Sequence, residues 1–229
     1  VYLKLFDWTG DVRYARMVVA YGRGDLPEKT WREISARAEG APMPILAKRS
    51  LVMPGFGSTA LELNSDADDY RQKGSVLLRH GSGRGHAHGD LLDMSINAYG
   101  YRVCPDGGRA FWPFPRFTAQ HNTVEVDRSS FQSGGINSGA YGYNLLFKPL
   151  PGAQFASAGG WCSTHPQLRD YRRDIAMIPC GGADFYVFSV VRVDGGNVHT
   201  YCFHGSRSQE WGTNCGEKPT AKDPLNLMD

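Results

Sequence analysis

Two histidines one residue apart, His86 and His88, stand in the stretch Arg84-Gly85-His86-Ala87-His88-Gly89-Asp90, between glycines that let a ligand approach the chain closely. On an extended backbone, side chains at i and i+2 share a face, so both imidazoles would point the same way. Further along come Asp106, in Pro105-Asp106-Gly107-Gly108, and His121, in Gln120-His121-Asn122-Thr123. Each sits where an apolar run begins or ends, so three ligand-type side chains are expected to converge from strand ends. Two neutral imidazoles and one carboxylate suit zinc, which takes His nitrogen and Asp oxygen and keeps a position for water or substrate. His-x-His with a distant Asp and His also arises by chance, and most histidines only satisfy local hydrogen bonds. Spacing alone leaves both readings open.

The elements that would position these residues are of two kinds. From Val1 to Ala20 the apolar residues Leu3, Leu5, Phe6, Val12, Ala15, Met17 and Val18 recur at three-to-four spacing, broken by Thr9-Gly10-Asp11, which predicts two short helices. Pro27 opens a third helical stretch that ends at Gly40-Ala41-Pro42. Pro42 and Pro44 mark a boundary between a helical segment, residues 1–44, and a second domain, residues 45–229. There the period becomes strand-like: Ser58 to Asn64, Ser75 to His80, Leu92 to Ala98, Tyr101 to Cys104, His121 to Val126, Tyr171 to Ile178, Phe185 to Val193 and Val198 to Phe203. Gly, Pro, Asp or Asn punctuates these runs, as between antiparallel strands. The expected fold is mainly β: a large antiparallel sandwich preceded by a short helical remnant. Gly139-Ala140-Tyr141-Gly142-Tyr143 reads as a loop, and the tail from Gly212 to Asp229 as irregular.

Composition narrows the partners. With 25 Lys+Arg against 23 Asp+Glu the formal charge is +2, too weak a field to call for nucleic acid or an anionic membrane. No apolar run approaches the roughly 20 residues of a membrane span. The widely spaced Cys104, Cys162, Cys180, Cys202 and Cys215 form no CxxC pair, which removes zinc-ribbon and thioredoxin-type readings. Their odd number leaves at least one thiol unpaired, and the count does not fix a redox compartment. Val1 opens directly into an amphipathic segment, with neither initiator Met nor signal-peptide pattern, which suggests processing or a piece of a longer polypeptide.

The stretch Gly83 to Gly108 and the segment Thr118 to Asp127, TAQHNTVEVD, together resemble the heparinase II/III-like polysaccharide lyases. In that family a glycine-flanked His-x-His-x-Asp precedes a hairpin, an Asp-Gly turn and an Ala-x-His-Asn-Thr strand. Looser matches are Pro54-Gly55-Phe56-Gly57, the Asp194-Gly195-Gly196 turn and His204-Gly205, so the resemblance spans about residues 45 to 210. It implies that His88, Asp106 and His121 bind one zinc ion, mainly structural and site-shaping, and that His86 lies in the active cleft. It also implies a fold that joins a helical toroid to the sandwich, with residues 1–44 as the toroid's last part and the rest outside this sequence.

The implied reaction is β-elimination at a uronate of an acidic polysaccharide, of alginate or glycosaminoglycan type. A base removes the C5 proton and the C4 glycosidic oxygen leaves, so the site must stabilise the developing enolate. His86, Arg84 and Arg116 are the candidates. Relatives draw the acid/base Tyr from the toroid, and some place one between the metal Asp and His, where this chain has Phe111-Trp112-Pro113-Phe114. Tyr141 and Tyr143 are the phenols left to approach the cleft, although tyrosines beside glycines are more often packing residues. Trp112, Phe114 and Phe117 suit sugar stacking or core packing. Arg169, Arg172, Arg173 and Asp174 read as a solvated strand face that an acidic polysaccharide could also use. Two other readings stay open: a non-catalytic carbohydrate-binding sandwich whose metal only braces loops, and a metal-dependent glycan hydrolase. The substrate class implies periplasmic or secreted residence, and oligomer formation is compatible with all three.

Overall fold

In a computed structural model the described residues are 2–21, 23–41, 49–67, 69–81, 88–105, 117–131 and 139–205. The chain divides into two compact units, Val1–Lys48 and Arg49–Asp229. Among its described residues the first holds three helices, α1 (Tyr2–Thr9), α2 (Val12–Tyr21) and α3 (Glu28–Ala38). The expected break falls where Gly10 adopts φ +68°. Asp11 then accepts the Arg13 backbone N–H at 2.9 Å and caps α2. Phe6, Ala15, Val18, Ile34 and Ala38 form the buried cluster of this unit. No helix among the described residues is long and apolar enough to cross a membrane.

The second unit is the expected antiparallel sandwich. Five strands form one sheet in sequence order, β1 (Leu51–Met53), β2 (Ser58–Leu63), β3 (Gly74–Arg79), β4 (Asp93–Ala98) and β5 (Tyr101–Cys104). After a short strand β6 (Val124–Val126), four long strands make the second sheet: β7 (Ala140–Pro149), β8 (Gln154–Cys162), β9 (Asp170–Gly181) and β10 (Asp184–Asp194). The last strand, β11 (His199–Tyr201), pairs back onto β6. Period-2 alternation turns Leu61, Val76, Leu78 and Met94 inward from the first sheet and Ala156, Ala158, Ile175 and Met177 inward from the second. Burying such side chains contributes roughly 1.5–3 kcal/mol each for the larger ones.

Three departures from the sequence reading have physical causes. Tyr141 and Tyr143 lie in strand β7 rather than a loop. Gly142 between them reads as a turn residue, but a Cβ there would sit 1.5 Å from the His80 carbonyl oxygen, so the glycine serves a close approach of two main chains. The run from His121 becomes strand only at Val124, because Thr118–Gln120 forms a 3-10 turn whose Thr118 carbonyl takes the His121 N–H at 3.0 Å. Arg173 is no part of a solvated face: alternation along β9 sends it inward, where it is fully buried. Its guanidinium donates to the Leu92 and Asn122 carbonyls, to Ser189 Oγ at 2.9 Å and to the Tyr201 hydroxyl at 3.0 Å. The boundary prolines Pro42 and Pro44 and the tail lie outside the described residues.

Polar ties also join the two sheets. Asn144 of β7 donates to Thr59 Oγ1 of β2 at 3.2 Å, and the Thr59 hydroxyl lies 3.3 Å from Nε2 of the buried His80. Burial holds the His80 imidazole below its ordinary value, against a smaller opposing effect from the Ser58 backbone.

Two outcomes are expected. The folded state keeps His80 neutral while the unfolded chain protonates it, so this contribution is full above pH 6.5 and falls as pH drops through 6.5 toward the depressed folded value. Thermal melting at pH 7.5 and pH 5 should show a larger loss for the native chain than for His80→Gln; parallel losses would contradict the assignment. Arg173→Met leaves two buried carbonyls without their charged donor, at a cost of about 3 kcal/mol or more. Urea unfolding should report a lowered midpoint, and a change under about 1 kcal/mol would contradict the role given to Arg173.

Candidate metal centre

His88 and His121 approach the same point from different parts of the chain. His88 precedes Gly89, Asp90 and the turn into β4; His121 ends the 3-10 turn before β6. Their ring centroids are 5.4 Å apart with the planes inclined at 43°. Two imidazoles sharing one tetrahedral zinc, with each nitrogen at its usual bond length, have centroids about 5 Å apart. The pair therefore fits one ion in both donor type and spacing.

The segment holding His88 reaches the segment holding His121 through Gly89. A Cβ at that position would meet Thr118 Oγ1 at 2.8 Å, the Phe131 carbonyl oxygen at 2.9 Å and Ser130 Oγ at 2.9 Å. In the space this leaves, Thr118 donates its hydroxyl to the Gly89 carbonyl at 2.7 Å and accepts the Phe131 N–H at 2.8 Å. Beside it, Arg79 pairs with the nearly buried Asp90 at 2.6 Å. Thr123 continues the seam by donating to the Leu91 carbonyl at 2.7 Å.

Asn122, fully buried next to His121, uses almost every polar atom it has. Its backbone N–H donates to Asp93 Oδ1 at 2.6 Å and its carbonyl accepts from Arg173. Its side chain donates to the Pro105 carbonyl at 2.9 Å and accepts the His204 backbone N–H at 2.6 Å. One residue thus ties the His121 turn to β4, to β9, to the end of β5 and to the chain beyond β11. His204 in turn directs Nε2 at the Ala119 carbonyl, 2.9 Å away. Desolvation lowers its pKa, against a smaller opposing effect of that hydrogen bond to Ala119.

Of the residues expected from sequence, His88 and His121 are thus brought together. Asp106, the expected third ligand, lies outside the described residues, as do His86, Arg84 and Arg116 and the aromatics Trp112 and Phe114. The hairpin before Asp106 is present: β4 and β5 pair through Tyr99-Gly100, and Cys104 and Pro105 lead toward that position. Among the described residues no group of three or more His, Cys, Asp or Glu side chains could hold a metal. Tyr141 lies elsewhere. It is 55% exposed on the outer face of the second sheet, its ring stacked on Trp161 at 5.8 Å. Phe117 is also exposed.

Sequence reasoning did not single out Asp93, Asn122, Arg173 or His204 as parts of this site. Asn122 and Asp93 stand inside the two motif segments, one residue from His121 and three from Asp90. His204 entered only through a loose motif match and Arg173 only as part of a strand face, because the return of β9 and β11 across the sandwich is what brings them here.

No family model matches the chain, and no curated protein does. Solved structures do. A heparinase III gene product matches 72% of this chain at 16% identity and a TM-score of 0.53. A heparan sulfate lyase from Pedobacter heparinus matches 81% at 14% identity with a TM-score of 0.51, and a mutant of it does so with 0.54. This chain covers 25% of the first protein and 28% of the second, so it spans about a quarter of their length. At these identities the likeness is one of fold: most of this chain is built like a portion of these lyases.

Proposed function

We propose that this chain is the sandwich portion of a lyase that cleaves a uronate-bearing acidic polysaccharide by β-elimination. The observation that carries the reading is the His88–His121 pair, 5.4 Å between centroids, in a chain whose fold is similar to a portion of heparinase III and heparan sulfate lyase structures.

His88 and His121, with Asp106 as third ligand, would hold a zinc ion whose positive charge braces the loops around the site. In the chemical step a base takes the proton from C5 of the uronate, and the electron pair left behind becomes the C4–C5 double bond. The bond from C4 to the glycosidic oxygen breaks, and that oxygen leaves with a proton. Negative charge gathers meanwhile on the uronate carboxylate, so cationic or hydrogen-bonding groups placed there lower the barrier most. His86, two residues from His88, and the guanidiniums of Arg84 and Arg116 are assigned that place. Tyr141, on the outer sheet face, is given no step. The acid/base phenol is assigned to the toroid of a longer polypeptide. Substrates of this class are extracellular, so periplasmic or secreted residence belongs to the same reading.

The test is ultraviolet absorbance of the unsaturated product during incubation of the full-length polypeptide with heparan sulfate, hyaluronan, chondroitin and alginate. A rise on one of them is expected, and His86→Ala should slow it by roughly 10²-fold or more. Depolymerisation without a double bond would overturn the lyase reading in favour of hydrolysis. No cleavage of any substrate would overturn it in favour of a binding module.

A further inference from the structure

The outer face of the second sheet, opposite the face that carries Arg173, holds a side-chain array that the proposed chemistry does not use. Tyr141 and Trp161 are cross-strand partners on β7 and β8, with rings stacked 5.8 Å apart at 22° and both open to solvent. Two residues along, Tyr143 pairs with Gly159. A Cβ on Gly159 would lie 2.5 Å from the Tyr143 ring, so the absent side chain lets that ring rest on the sheet while the residue remains 54% exposed. Register carries the same row onward from Gly159 to Arg172 of β9 and from Arg172 to Arg192 of β10.

The two arginines are direct cross-strand neighbours, an arrangement that like charges disfavour. Among the described residues one carboxylate, Asp174, answers both, 3.6 Å from Arg172 Nε and 3.6 Å from Arg192 Nη2. Asp174 is itself held by Ser157 Oγ at 2.5 Å. Within this triad two guanidiniums share one carboxylate, and at 3.6 Å neither is in close hydrogen-bonded contact; the next outward pair along the same strands, Asp170 and Asp194, adds two carboxylates, of which Asp194 is taken by Arg169. Donors therefore remain for a planar anion. With strands about 4.8 Å apart, the row from Tyr143 to Arg192 runs about 14 Å, roughly two or three sugar rings.

We propose that this face binds an anionic, uronate-bearing glycan chain, with sugar rings on Trp161 and Tyr143 and a carboxylate or sulfate on Arg172 and Arg192. The polar and apolar faces of a sugar ring suit exposed aromatics, and the guanidinium donors that Asp174 does not hold closely favour a carboxylate or sulfate over a neutral ring. Alternation along β9 separates the surface from the histidine pair, since Arg172 points outward where Arg173 reaches inward to Asn122. The surface would hold a long chain to the protein away from the cleavage site. The choice of a uronate polymer rests on the proposed function; the surface itself does not.

The test is calorimetric titration of the full chain in a His86→Ala background with a size-defined heparan sulfate oligosaccharide, beside a neutral cello-oligosaccharide of equal length. Binding of the acidic oligomer alone is expected, weakened about 10-fold by Trp161→Ala and by Arg192→Gln, with a shallower salt dependence in the arginine variant. Asp174→Asn removes the carboxylate that occupies both guanidiniums and should tighten binding several-fold, a direction that loss of structure would not produce. Equal binding of the neutral oligomer, or affinity unmoved in Arg192→Gln and Asp174→Asn, would overturn the proposal. If these changes appear but no unsaturated product ever forms, the lyase reading falls and this surface stands. If product forms and the variants bind normally, the reverse holds.

Discussion

A guanidinium cannot be taken out of water unless fixed acceptors replace its hydration. Arg173 is fully buried between the sheets, so the segments around it are obliged to bring acceptors to it. Leu92 offers its carbonyl from the turn into β4, Asn122 from the turn behind His121, Ser189 its hydroxyl from β10 and Tyr201 its phenol from β11. Four segments far apart in sequence are thereby fixed around one cation. Two of them border the histidine pair. A residue that looks like surface charge is thus the centre on which the geometry of the candidate metal site depends.

That geometry carries local strain. Leu92 is wholly buried at φ +59°, a conformation that a branched side chain rarely adopts and that costs of order 1–3 kcal/mol. Its carbonyl is one that Arg173 takes, at 2.8 Å, so the hydrogen bond and the strained backbone hold each other. Gly89 solves a different problem in the same seam, since only its missing side chain admits the Thr118, Ser130 and Phe131 atoms that close the gap between the two histidine segments. Asn122 then distributes the constraint to the end of β5, just before Asp106. Among the described residues, close main-chain approach and buried hydrogen bonds position the two histidine segments.

Much of this was legible in the chain because the patterns are local. Gly10 and Gly40 marked helix ends, and alternation around Val76 and Ile175 marked strands with one buried face. The motif segments pointed to His88 and His121 because spacing and residue type are themselves sequence properties. What was hidden depends on distance along the chain. The start of β7 resembled a loop because Gly142 stands where the His80 main chain lies against it, and β8 gave no strand signal where Gly159 and Gly160 replace side chains against the Tyr143 and Leu91 side chains. Arg173 looked solvated because its neighbours Arg172 and Asp174 are, and the inward half of the alternation shows only once β4 and β11 stand opposite. His204 reaches the site through the β6–β11 ladder, whose partners are about seventy-five residues apart in sequence, and no local pattern carries such a contact.

The proposed zinc site puts the His88 and His121 imidazoles on one ion. A zinc K-edge absorption spectrum of the purified full-length polypeptide addresses it directly. The expected spectrum shows two imidazole ligands at about 2.0–2.1 Å with the remaining positions taken by oxygen, and one imidazole fewer after His121→Ala. Protein that binds no zinc, or zinc whose spectrum lacks imidazole scattering, would contradict a shared metal centre.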